Sequence, residues 1–315
     1  MGAGYAGIEF SNFSRYKAIY NKGVEDLEAG NFSAAERAFK KVMEISPEMG
    51  ENVYNLGLSY FYMNRLDLSL KFFLKTTELS PNDIDAYYNI GIINYLRNKK
   101  AETIKYFTKA LEVSGKKDEQ TLLSMAMVYT ETQDYDMSIQ TVTRLIELSP
   151  ANIDYRMTLA DVYEKLIADT GNIQSLDFAI KTYSEILELD EHHEAANLKI
   201  ANCYAQTGDI ENCQLACQRA LKKNPQSADA LHLLGIISFA LQKFQEAVNY
   251  FEQAFAAKPN LKSAYLNAAY AYHRQDNLGK AQELYALYKS KIPPSEASSE
   301  MDKFFAPVVE EEVEV

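Results

Sequence analysis

The sequence predicts an all-α fold of stacked antiparallel helix hairpins, and three observations carry that reading. Prolines return at a fixed spacing, apolar residues between them fall at helical intervals, and a small residue recurs at one register in every unit. Pro47, Pro81, Pro150, Pro225, Pro259 and Pro293 are separated by 34, 69, 75, 34 and 34 residues. The two long gaps each hold two periods of 34, with one residue over in the first and seven in the second. A fixed period of this length marks an array whose units stack on one another. Eight units follow, beginning near Tyr16, Gly50, Ile84, Glu119, Ile153, Glu194, Ala228 and Lys262.

Each unit holds two segments with apolar residues at i, i+3, i+4 and i+7, the spacing of one helix face. Turn formers divide them, as at Ala29-Gly30-Asn31 and Gln206-Thr207-Gly208-Asp209. The eighth position of the first helix is Gly23, Gly57, Gly91, Ala126, Ala160, Ala201, Gly235 and Ala269. The facing position of the second is Ala35, Ser69, Thr103, Ser138, Ala179, Cys213, Ala247 and Ala281. All are small, which lets two helix backbones cross closely. Four residues on, Phe39, Phe73, Phe107, Val142, Tyr183, Cys217, Phe251 and Tyr285 supply mostly large side chains to fill the space beneath. Proline after the second helix cannot continue it and turns the chain into the next unit. One hairpin cannot bury its apolar face alone, whereas a stack can.

The unit resembles the tetratricopeptide repeat over about residues 16–293, carried by segments such as Asn55-Leu56-Gly57-x-x-Tyr60 followed by Phe73 and Pro81. The family's Trp is absent; Ile19, Val53, Tyr87, Leu122, Leu231 and Tyr265 take most of those places. The resemblance implies a right-handed superhelical α-solenoid of eight repeats. The expected organisation is an N-terminal extension over 1–15, the solenoid over 16–293, and a C-terminal segment over 294–315. In that segment a short helix ending at Phe304 and Phe305 would cover the last hairpin, and the acidic run after Pro307 reads as disordered. The seven extra residues lie around Ala168–Asn172 and read as a longer helix or a rim loop.

Composition narrows the function classes. Net charge is −12, and half of it sits in Pro294–Val315, so the body is mildly acidic and nucleic acid is not the expected partner. No run of apolar residues is long enough to span a bilayer, and Met1–Phe10 has no signal-peptide pattern. Cytoplasmic residence is expected, and three cysteines, an odd number, fit a reducing compartment. No phosphate loop, dinucleotide fingerprint, nucleophile elbow or H-E-x-x-H is present, so no enzyme activity and no cofactor is expected. Cys203, Cys213 and Cys217 sit at core registers and read as buried hydrophobes rather than as a metal site. His192 and His193 fall in a turn; His232 and His273 have no acid or nucleophile beside them in a catalytic pattern.

The candidate site is a peptide-binding channel. In the family the first helices line the concave side, with positions 2, 5, 6, 9, 12 and 13 facing into it. Position 6 is Asn21, Asn55 and Asn89 in the first three units, and position 5 is Tyr20, Tyr54 and Tyr88. An amide offers both donor and acceptor, so a column of them can pair with the peptide units of an extended ligand. The column resembles the asparagine ladder in the repeat domain of the O-linked N-acetylglucosamine transferase family. Leu58, Phe61, Tyr62, Ile92 and Tyr95, with Leu123 and Met127, would form the walls. Neither column is needed to pack a hairpin. The chaperone-type carboxylate clamp requires basic residues where this chain has Tyr20, Asp85 and Asn89; Asn55 alone matches it. The expected function is a non-enzymatic scaffold that binds an extended protein or peptide segment in its concave groove. The alternatives are a self-assembling scaffold and a regulatory or targeting subunit of an enzyme assembly.

Overall fold

The structure, a computed structural model, describes residues 3–293 and 299–306, with side chains described over 16–293 and 300–306. All regular structure among the described residues is helical. The chain divides into two compact units, Met1–Pro150 and Ala151–Val315. The first unit contains α1 (Ala3–Glu28), α2 (Phe32–Ile45), α3 (Gly50–Tyr62), α4 (Leu66–Leu79), α5 (Ile84–Leu96), α6 (Lys100–Val113), α7 (Glu119–Glu131) and α8 (Tyr135–Leu148). The second contains α9 (Ile153–Thr170), α10 (Ser175–Leu189), α11 (Glu194–Thr207), α12 (Ile210–Lys223), α13 (Ala228–Ala240), α14 (Phe244–Ala257), α15 (Lys262–His273), α16 (Leu278–Ser290) and α17 (Ser299–Phe304). Within each unit the helices pack as consecutive hairpins, and each hairpin packs on the next. Helices α1 to α16 are the sixteen that eight repeats require. Helix α1 runs back to Ala3, through the stretch expected to be an extension.

The tight crossings follow from the small-residue register. A Cβ built on Gly91 would lie 2.4 Å from the Phe107 ring, and one on Gly57 2.9 Å from Phe73. Gly23 and Gly235 meet Phe39 and Phe251 in the same way. Where the eighth position is Ala, the partner four residues past the crossing is Val142, Tyr183, Cys217 or Tyr285, never Phe. The facing residue does more than stay small: Ser69 Oγ donates to the Gly57 carbonyl at 2.9 Å, and Ser138 Oγ to that of Ala126 at 3.0 Å. Cys213 Sγ does the same to Ala201 at 3.1 Å, so this thiol is a crossing element. All three cysteines are buried, and burial pushes the Cys203 thiol up to about 11. No group of three or more metal-ligating side chains occurs among the described residues.

Each turn between the paired helices is the same structure. The residue fourteen past the start of the repeat is left-handed: Gly30, Asn64, Asn98, Gln133, Gly208, Gln242 and Asp276, with φ from 56° to 76°. The next amide reaches back five residues, as in Arg65 N to Tyr60 O (2.8 Å) and Lys243 N to Ser238 O (2.9 Å), satisfying a carbonyl the helix leaves open. Asp83, Asp118, Asp134, Asn152, Asp209 and Asn277 cap helix N-termini with side-chain acceptors. The repeat starting at Ile153 departs from this pattern. Its first helix runs on to Thr170, ends on left-handed Gly171, and is followed by an exposed loop to Gln174. Most of the insertion therefore lengthens α9.

Helix α17 lies against the last hairpin. Phe305 is buried, stacks on Tyr285 at 4.5 Å and tilts against Tyr270 at 5.1 Å. Tyr285 Oη donates to Asp302 at 2.9 Å, and Lys289 pairs with the same carboxylate at 2.7 Å. The acidic run after Pro307 lies outside the described residues.

Candidate functional site

All the residues expected to line the channel lie in the first unit. Tyr20 and Asn21 are on α1; Tyr54, Asn55, Leu58, Phe61 and Tyr62 on α3; Tyr88, Asn89, Ile92 and Tyr95 on α5. The tyrosine and asparagine columns meet each other, one repeat apart. Asn55 Nδ2 donates to Tyr20 Oη at 2.9 Å, and Asn89 Nδ2 to Tyr54 Oη at 3.0 Å. Tyr88 Oη shares a hydrogen bond with Ser124 Oγ at 3.1 Å, continuing the series. Each tyrosine ring packs on the phenylalanine of its own hairpin: Tyr20 on Phe39, Tyr54 on Phe73, Tyr88 on Phe107, at 5.4 to 5.9 Å. Burial, with Glu51 beside Tyr20 and Asp85 and Asp83 beside Tyr54, holds both phenols protonated.

Spacing alone leaves both columns free to face a ligand; the fold engages them with each other. Contrary to the expectation from spacing, the tyrosine column does pack its own hairpins, through the rings on Phe39, Phe73 and Phe107, and the two columns together tie each of these hairpins to the next. Asn89 spends both amide hydrogens, the second on the Asp85 carbonyl at 2.8 Å, so only its carbonyl oxygen remains to be offered. Asn21, with no repeat before it, is exposed and bonds to no described residue. A signal for the pairing exists in the sequence: wherever position 5 is Tyr or His, position 6 of the next repeat is Asn or Ser.

Around the columns the first helices expose apolar side chains. Tyr62, Leu96 and Met127 are each 56% exposed, although all three sit on central helices of the unit. Tyr62 stacks on Phe32 at 5.0 Å and meets Phe61 edge-on at 5.7 Å. Between α5 and α7 a cavity of about 100 Å³ is lined by Ile92, Tyr95, Phe107, Ser124, Met127 and Val128. Tyr95 Oη donates to Glu131 Oε1 at 2.7 Å across its rim, a contact that raises the phenol's pKa. Asp85 is held above the ordinary carboxylate range by burial and by Asp83 and Asp118.

The second unit repeats this register in a place sequence reasoning passed over. A cavity of about 390 Å³ lies between α13 and α15, lined by Ile236, Phe239, Phe251, Asn267 and Tyr270. His232 takes the tyrosine's place: its ring tilts on Phe251 at 5.7 Å and Nε2 lies 3.0 Å from Asn267 Nδ2. Burial lowers its pKa, against the opposing effects of Asp229 and the Ser263 backbone. His232 is thus a link between repeats. His273 stacks on Phe304 at 4.3 Å. Between α9 and α11 the same surface is charged instead. Lys199 bonds Glu164 and faces Asp161 at 3.6 Å, while Tyr183 Oη donates to Glu164 at 2.8 Å.

Consecutive hairpins of one kind, crossing at a small residue and in several places tied by the same polar link, define a helical-repeat protein. A family model described as the tetratricopeptide repeat protein 21 C-terminal ARM domain matches residues 100–272, more than half of the chain, and one described as tetratricopeptide repeat matches 51–83. The chain belongs to the tetratricopeptide repeat family. No curated protein matches the sequence significantly. Among solved structures, the C-terminal part of a repeat-containing protein from Cytophaga hutchinsonii is similar with a TM-score of 0.67 at 12% identity, over 79% of this chain and 98% of that one. A chain of the Naa15/Naa10 structure bound to HypK-THB gives 0.54 at 17% identity, over 93% of this chain and 44% of that one. YrrB, described as a repeat protein with an unusual peptide-binding site, gives 0.48 at 23% identity, over 63% of this chain and 98% of that one. At these identities the likeness is one of fold. No helix among the described residues is long and apolar enough to cross a membrane.

Proposed function

We propose that the protein is a non-catalytic, cytoplasmic interaction scaffold whose first unit holds an extended protein segment across α1, α3, α5 and α7. The observation that carries this reading is the row of exposed Tyr62, Leu96 and Met127 beside amides whose carbonyl oxygens are not engaged with the repeat. Large apolar groups on central helices lose free energy by facing water, and a ligand side chain would cover them. Ile92, Tyr95 and Met127 frame a cavity sized for one ligand side chain. Leu58, Phe61 and Tyr62 continue the wall toward α1. The amide oxygens of Asn55 and Asn89 would accept from ligand backbone N–H groups, and Asn21 would offer both donor and acceptor.

Because Asn55 and Asn89 also join repeats, binding and stability have to be separated. Two variants do so: Asn21→Ala/Asn55→Ala/Asn89→Ala, and Tyr20→Phe/Tyr54→Phe. The first removes the offered groups; the second removes the links between repeats and leaves the amides. The probe is a degenerate pool of short labelled peptides titrated against the full chain, with thermal melting alongside. The asparagine variant should bind at least about tenfold more weakly, from roughly 0.5–1.5 kcal/mol per lost hydrogen bond. The tyrosine variant should melt earlier and still bind. Unchanged affinity in the asparagine variant would remove the amides from recognition.

A further inference from the structure

In the first unit acids occur on first and second helices alike, but cations are missing from three of the first helices. Helices α3, α5 and α7 contain Glu51, Asp85, Glu119 and Glu131 and not one Lys, Arg or His. The second helices α2, α4 and α6 carry the cations: Arg37, Lys40 and Lys41; Lys71 and Lys75; Lys100, Lys105 and Lys109. Of the acids on the first helices, Glu51 and Asp85 stand one turn before Asn55 and Asn89, and Glu131 bonds Tyr95 at the rim of the cavity. Glu51, Asp85 and Glu131 make no ion pair among the described residues. The row is cationic only at its start, where α1 has Lys17 and a Lys22 already paired with Glu25 at 3.2 Å. Asp85 faces other anions, Asp83 and Asp118, and no cation.

We infer that the segment held on this face is basic: an extended stretch in which Lys or Arg alternates with apolar side chains. This deepens the function proposed above and rests on it. Tyr95 donates to Glu131 and Tyr20 lies against Glu51, but no described cation of the unit pairs with any of the three carboxylates, so a ligand cation gains their attraction without displacing an existing ion pair. The exposed Tyr62 and the rim residue Tyr95 add ring faces on which a guanidinium or ammonium group can rest. Along α3, α5 and α7 an acidic ligand would meet three like charges and no cation on those helices, which is selection by repulsion as well as attraction. Screening at physiological salt limits the field to about 8 Å, so the effect requires contact at this face rather than general attraction to an acidic protein.

The test uses the full chain and three labelled degenerate peptide pools of equal apolar content: strongly basic, uncharged and strongly acidic. The basic pool should bind at least about tenfold tighter than the uncharged pool, and its affinity should fall as salt rises. In Glu51→Gln/Asp85→Asn/Glu131→Gln that preference should fall below about threefold. In Glu44→Gln/Glu78→Gln/Glu112→Gln, which removes as many acids from the second helices, it should remain. Loss of preference in both variants, or in neither, overturns the inference. If the uncharged pool binds as well as the basic one and the asparagine variant abolishes both, the charge inference fails while the groove reading survives. If no pool binds, both fail.

Discussion

A methyl group added at Gly91 has nowhere to go, because the Phe107 ring already occupies its position at 2.4 Å. Gly91→Ala should therefore cost about 1–3 kcal/mol, read as a lower midpoint in denaturant. The chain contains its own remedy. Where Ala126 stands at the same register, the ring is replaced by Val142, which is fully buried. Phe107→Val should accordingly be less damaging in the Gly91→Ala background than alone, and a double-mutant cycle measures that coupling. Additive costs would mean that Phe107 can swing clear, and that the glycine is not set by its ring. At this scale the crossing was legible from sequence, since a small residue held at one register through eight units is what close backbone approach demands. The hydroxyl of Ser69 donating to the Gly57 carbonyl was not, because size alone had accounted for it.

At the scale of the element, the turns between paired helices share one backbone but not one residue. Only Gly30 and Gly208 are glycine at the left-handed position of the regular turns; Gln242 holds φ 60° with a Cβ in place. A left-handed residue with a Cβ costs about 1–2 kcal/mol, and glycine returns roughly half of that through the freedom it adds to the unfolded chain. Gln242→Gly should raise stability by about 0.5–1 kcal/mol, seen as a higher melting temperature. A lower melting temperature would show that the Gln242 side chain holds the turn in some other way. The position of each turn could be read from the period; its hand could not at Gln133 and Gln242, because Gln has little preference for that conformation and takes it where the two flanking helices require it. The tyrosine and asparagine columns belong to the same scale. Their spacing was plain in the sequence, but the Tyr20–Asn55 and Tyr54–Asn89 bonds depend on how one hairpin is offset against the next.

For the whole molecule, each unit is an array in which a helix touches chiefly its neighbours, so stability should be graded along it. In the second unit, α17 covers α15 and α16 through Phe305. Phe305→Ala should speed hydrogen exchange in α15 and α16 well before it affects α9 and α10. In the unaltered protein the exposed loop from Gly171 to Gln174 should exchange fast as well. Equal acceleration in every helix would mean that the unit unfolds as one block. The period, the helix pairs, the small crossings and the family were all determined by sequence alone, because each follows from a local pattern repeated eight times, and repetition averages out the ambiguity of any single copy. What only the tertiary structure decided is which polar groups that repetition consumes. Asn89 gives both its amide hydrogens to the repeat, whereas Glu51 and Asp85 form no ion pair with any described residue. Those facts depend on distances between side chains on different hairpins, which no spacing along the chain records.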